Sequence, residues 1–144
     1  MSKTTAKPSA PVRLFCVNPP PAEHAGEAAH FGLQDKKQQI HEGSRQADGS
    51  LLFSFAISLH LPTADSLDFG GPFVHGKAGD RFLYLSWQRP SGTFIKRIKI
   101  PLTLITTAQI DAISTQGGGL TATVDGRGAA RTKPLGDGWT VYAA

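Results

Sequence analysis

Five residues in one short stretch carry side chains that could do chemistry together: His75, Asp80, Arg81, Tyr84 and Trp87. Arginine offers a planar donor fork that fits a carboxylate or phosphate, and tyrosine and tryptophan offer rings with polar tips. A structural reading stands beside this one. Asp80 and Arg81 can pin a turn, and the aromatics can fill a core, because the strand that carries them is apolar on both faces.

The other chemistry-bearing residues do not gather. His24, His30, His41, His60 and His75 show no metal-ligand spacing of the His-x-His or His-Glu-x-x-His kind, although His24 and His30 lie close in sequence to Glu23 and Glu27, so no metal is expected. The glycines at 70–71, 76 and 79, and 117–119 match neither a phosphate-binding loop nor a dinucleotide fingerprint, so no cofactor is expected. Ser86 stands between Leu85 and Trp87 inside a strand and lacks a Gly-x-Ser-x-Gly elbow. Cys16 is the sole cysteine, which rules out an internal disulfide and a cysteine-based zinc cluster. Set in Val12–Val17, it reads as a small buried hydrophobe.

The elements that must position these residues are mostly strands. Met1 to Pro11 reads as a flexible leader, and residues 12–144 as a single β-rich domain. A strand over Val12–Val17 ends at Asn18 and three prolines. Ala22–Ala28 reads as a loop. His30–His41 reads as a strand, with a helix over Gln34–Glu42 as the alternative. Gly43–Ser50 is turn-like, with Asp48-Gly49 a good turn dipeptide.

Leu51–Leu61 has the cleanest pattern, with Leu51, Phe53, Phe55, Ile57, Leu59 and Leu61 on one face and Ser54, Ala56, Ser58 and His60 on the other. Pro62–Gly71 reads as a loop. Phe73–His75 and Arg81–Gln88 flank a glycine-bounded hairpin loop. The second of these strands places Phe82 and Tyr84 on one face and Leu83, Leu85 and Trp87 on the other, which suits a central strand covered twice. Phe94–Leu102 is a further strand, with Phe94, Ile98, Ile100 and Leu102 on one face.

The one convincing helix follows. Thr106 or Thr107 caps it, Gln109 completes a capping box, Ile105 and Ile110 form a hydrophobic staple, and Gly117 to Gly119 stop it. Leu120–Val124 and Trp139–Tyr142 close the domain around an Asp125-Gly126 turn and a mobile glycine-rich connection. The sum is a mostly β chain with one late helix, an antiparallel β-sandwich or a small barrel.

At 144 residues the chain has the size of one domain. Its hydrophobic share of 40% and charged share of 18% suit a globular protein and exclude a disordered one. No apolar run approaches the ~20 residues that span a bilayer, and the N-terminus lacks the apolar segment of a signal peptide. The expected location is the cytoplasm. The net charge of +4 raises nucleic acid as a partner. Against it, Lys96 and the pair Arg97 and Lys99 fall on opposite faces of their strand, and no nucleic-acid motif accompanies them.

The run Phe69–Trp87 resembles the signature of a family of small bacterial proteins of unknown function. That signature has a glycine-proline, an aromatic, a valine, a histidine or glutamine, a glycine, and then Gly-Asp-Arg-Phe-Leu-Tyr-Leu-Ser-Trp. The resemblance extends upstream to His30–Gln34 and downstream to Thr93-Phe94, the basic strand and the helix near Ile110. It implies a bacterial origin and a shared fold, and it brings no activity, cofactor or catalytic residue. The expected function is a non-enzymatic binding domain in which His75, Asp80, Arg81, Tyr84 and Trp87 hold an anionic small molecule or a protein partner. The alternative is a small cyclase- or isomerase-like enzyme with a His or Asp acid or base in an apolar pocket. The two differ in shape: a closed pocket with a shifted titratable group against an open patch.

Overall fold

A computed structural model describes residues 9–63, 66–127 and 138–142. In chain order these form β1 (Ser9–Val17), β2 (Glu23–His24), β3 (Glu27–Ala28), β4 (His30–Gln34), β5 (Ile40–His41), β6 (Ser44–Arg45), β7 (Leu51–Thr63), β8 (Ser66–Gly70), β9 (His75–Lys77), β10 (Asp80–Gln88), β11 (Phe94–Pro101), α1 (Thr107–Gln116), β12 (Gly119–Asp125) and β13 (Thr140–Tyr142). The expected mobile connection after Gly126 falls largely on 128–137, outside the described residues.

Two sheets share one core. The first runs β13-β12-β1-β7-β6, with β8 also on β7. The second runs β11-β10-β4-β5, with β9 also on β10, and neither closes into a barrel. Period-two sequence builds both inner faces. In β1 the buried residues are Ala10, Val12, Leu14 and Cys16, and in β7 they are Leu51, Phe53, Ile57 and Leu59. The second sheet contributes Leu33, Leu83, Leu85, Ile98 and Ile100 to the same cluster. Burial of each large aliphatic side chain contributes about 1.5–3 kcal/mol.

Several elements differ from expectation. β1 begins at Ser9, inside the expected leader, and Ala10 is fully buried opposite Ile57; residues 1–8 lie outside the described ones. Part of the expected loop over Pro62–Gly71 is β8, which pairs with β7 through Leu59 and Phe69. The side chain of His60 lies outside what is described. Ala22–Ala28 contains the small β2-β3 hairpin. His30–His41 is neither one strand nor a helix: β4 turns at Asp35 and returns as β5. The Asp35 carboxylate accepts from the backbone N–H of Lys37 and Gln39, at 2.8 and 2.9 Å, and this closes the turn.

A register shift beside Trp87 places Phe94 opposite Gln88 and Lys96 opposite Trp87, so Ile95 is the extra residue of a β-bulge. The bulge reverses Phe94, which leaves the Ile98 face and meets Arg97. Among the described residues one pairing is parallel, within an otherwise antiparallel arrangement: β1 and β12 align from Val12 with Leu120 to Val17 with Asp125. The helix follows its sequence signals: Thr106 is the N-cap, both capping-box bonds with Gln109 form, Ile110 and Ile113 are buried, and Gly117 ends the helix at a φ of 81°.

Candidate functional site

The central strand of the second sheet separates the expected site into two faces. Leu83 and Leu85 point into the core with no exposure, and Trp87 packs against the same cluster. Phe82, Tyr84 and Ser86 therefore point outward. Register sets their neighbours. His75 and Pro101 flank Phe82, Lys99 lies opposite Tyr84, and Gly32 and Arg97 flank Ser86.

On that outer face, cations rest on rings. The Arg97 guanidinium lies 3.8 Å from the centre of Tyr84 and 4.2 Å from that of Phe94. The Lys99 ammonium lies 4.3 Å above Phe82. His75 sits 5.3 Å from Tyr84 and 5.9 Å from Phe82, and its Nε2 is 2.9 Å from the Gln34 carbonyl oxygen. A cation over a ring gains about 0.5–2 kcal/mol and keeps its full charge. Neither Arg97 nor Lys99 has a carboxylate partner among the described residues.

Beneath them lies a buried polar node. Gln34 is 1% exposed and Ser86 not at all. Ser86 Oγ donates to Gln34 Oε1 at 2.9 Å, and Arg97 Nη2 donates to the same oxygen at 3.0 Å. Because guanidinium can only donate, the Gln34 oxygen must face it, and that fixes the amide orientation. Gln34 Nε2 and Arg97 Nε are then buried donors with no acceptor among the described residues.

The five expected residues divide accordingly. His75 and Tyr84 meet on the outer face. Asp80 is exposed at the hairpin turn, opposite Lys77. Arg81 reaches across to the first sheet, where its Nε and Nη2 donate to the two Asp68 oxygens at 2.8 and 3.3 Å. Its Nη1 donates to the Gly76 carbonyl, and Asp68 raises its pKa further. At Gly76, with φ at 89°, a Cβ would run into the Asp80 carbonyl, so glycine is required for this closure. Trp87 faces away from His75 and Tyr84, donates from Nε1 to the Pro21 carbonyl at 3.1 Å, and meets the His24 ring at 5.1 Å.

Sequence reasoning passed over Gln34, Phe82, Phe94, Arg97 and Lys99 as site residues. The signal available was the alternation Phe82-Tyr84 on one strand beside Arg97-Lys99 on the next, once the turn at Arg89–Gly92 sets their pairing. The bulge that brings Phe94 to Arg97 leaves no mark in the pattern.

Elsewhere, a pocket of about 260 Å³ opens between Pro20, Pro21, Phe31, Leu51, Glu42 and Arg45. Burial pushes the Cys16 thiol up to about 12, as suits a packed hydrophobe. Among the described residues no group of three His, Cys, Asp or Glu side chains could hold a metal, and no helix is long and apolar enough to cross a membrane.

A family model for proteins of unknown function, DUF5990, matches residues 11–142, and the chain belongs to that family. No curated protein and no solved structure matches it.

Proposed function

We propose that the domain is a non-enzymatic binding module that holds an anion on the outer face of its second sheet, either a small molecule or the acidic surface of a protein partner. The observation that carries this is the seating of Arg97 and Lys99 on Tyr84, Phe94 and Phe82 without a carboxylate partner among the described residues. A salt-bridged arginine such as Arg81 has its charge compensated within the fold, whereas a cation on a ring is oriented but still free to take an anion. His75 borders the patch and widens it. The same geometry disfavours nucleic acid. Single-stranded bases bind by stacking on exposed rings, and the Phe82 and Tyr84 faces already carry the protein's own cations. We place the protein in the bacterial cytoplasm, a reading supported by the family resemblance and by a lone, packed thiol that needs no oxidising compartment.

The test is a titration of the purified protein, followed by NMR, with acetate, benzoate, citrate, inorganic phosphate and a dT oligonucleotide at low ionic strength. At least one small anion is expected to saturate, with shifts confined to β10 and β11, and the double variant Arg97→Gln, Lys99→Gln is expected to lose it. Equal binding by the variant, or sub-micromolar oligonucleotide affinity with a steep salt slope, would sink the proposal.

A further inference from the structure

The two orphan donors narrow the ligand's chemistry. Gln34 Nε2 shares its carbon with the oxygen that accepts from Arg97, and Arg97 Nε shares its carbon with the nitrogen that donates. Both donors therefore flank the same hydrogen bond. Leaving two buried donors unmet is costly, because each forfeits its water without gaining a partner. We propose that Gln34 and Arg97 form a carboxylate-binding site in which the ligand's carboxylate accepts from Gln34 Nε2 and Arg97 Nε. This rests on the reading of the outer face as an anion-binding surface and assigns its chemical class.

Two observations favour a carboxylate over a phosphate. The first is within the molecule: the Nε of Arg81, the counterpart of the unmet Arg97 Nε, donates to a carboxylate, that of Asp68. At Arg97 the neighbouring Nη2 is already bonded to Gln34, and the amide Nε2 takes its place as second donor. Planar donors side by side match a planar pair of oxygens. The second is charge. The node holds one cation, so a monoanion leaves the buried group neutral, whereas a phosphate dianion would add an uncompensated charge where burial is most expensive. Ser86 is a positioning residue. Its hydroxyl donates to Gln34 Oε1 from a fully buried site and helps to hold the amide with its N–H groups turned away from that oxygen. Arg97 is only half-buried and is held by the rings and by its bond to Gln34, with no ionic tether among the described residues, so a ligand at its Nε displaces no carboxylate.

The experiment uses the intact chain with sodium acetate and sodium benzoate as probes, and inorganic phosphate and chloride at matched ionic strength as controls. The side-chain amide protons of Gln34, assigned by their loss in Gln34→Glu, are expected to shift downfield on addition of carboxylate and to stay in place with phosphate. Gln34→Glu supplies the carboxylate from within, so the ligand-free thermal midpoint should rise and carboxylate affinity should fall at least tenfold. Arg97→Lys keeps the charge, loses Nε and lies nearer the surface; it should also bind carboxylate at least tenfold more weakly, and it stands as the test if Gln34→Glu does not fold. Unmoved Gln34 amide signals, with carboxylate binding intact in Gln34→Glu, would mean that an ordered water satisfies the donors and would overturn the inference. Phosphate binding as tightly as carboxylate would overturn the assigned class. In both of these outcomes, loss of binding in Lys99→Gln would leave the anion-binding face standing, whereas no binding of any anion defeats both readings.

Discussion

Arg81 and Arg97 sit on neighbouring strands of one sheet and do opposite things with the same side chain. Arg81 spends its fork inside the fold: two bonds to Asp68 tie β10 to β8 of the other sheet, and one to Gly76 ties it to β9. Its side chain is 24% exposed and that of Asp68 17%, so the pair is partly wet and below the strength of a fully buried bridge. Arg81→Lys keeps the charge but cannot reproduce the bidentate edge. We expect it to lose about 2 kcal/mol in denaturant unfolding, on the scale of hydrogen bonds to charged groups, with anion binding at Arg97 unchanged. A stable Arg81→Lys protein that no longer binds would return Arg81 to the binding site. In sequence, the chemistry of Arg81 was legible and its partner was not. Asp80 stands next to it, but alternation turns Asp80 outward, and the true partner sits on a strand that reads as a loop.

Elements that obey local rules are the ones the sequence reveals. The capping box of α1 forms as its residues demand, and Thr106→Ala should cost about 1 kcal/mol of stability in thermal or chemical unfolding. Period two in β7 likewise predicts its buried face. The β4-β5 turn is different, because its closure depends on one carboxylate. Asp35 accepts from the Lys37 and Gln39 N–H groups and lies 2.8 Å from His41 Nε2. These bonds, that of His41 first, hold the Asp35 pKa below its ordinary value. A lowered folded-state pKa means that the unfolded chain takes up the proton more readily. The stability Asp35 contributes is therefore complete above the ordinary carboxylate range, about pH 4, and is lost as pH falls through the lower folded-state value. Asp35→Asn should be less stable than the parent at pH 7, and the gap should narrow as pH falls below the ordinary carboxylate range. A gap independent of pH would show that the turn depends on shape and not on the charge. The bulge at Ile95 escaped sequence reading for a physical reason: one inserted residue changes which face Phe94 takes without changing the residues themselves.

At the scale of the molecule, what holds the two sheets in place comes from residues far apart in the chain. β1 and β12 pair in parallel although the whole second sheet and the helix intervene. Hydrophobic period indicates that both are strands but carries no information on which neighbours which. Trp139 shows the same limit. Its indole is 4% exposed, its Nε1 donates to the Pro101 carbonyl at the end of β11 at 2.9 Å, and its own carbonyl accepts from Gln109 of α1 at 2.6 Å. It also leads into β13, which pairs with β12. One residue thus joins the edge of the first sheet, the helix and the end of the second sheet. Trp139→Ala removes a large buried ring and leaves the Pro101 carbonyl without that donor, so we expect a loss of about 3–5 kcal/mol. Trp139→Phe keeps most of the ring and deletes only the N–H, so it should cost about 1–2 kcal/mol. If Trp139 joins the sheets as one unit, both variants should unfold in a single transition, with β10 and β12 amides losing exchange protection together. Separate loss of the first sheet, with β10 and β11 still protected, would show that the sheets are stable apart and that Trp139 belongs to only one of them.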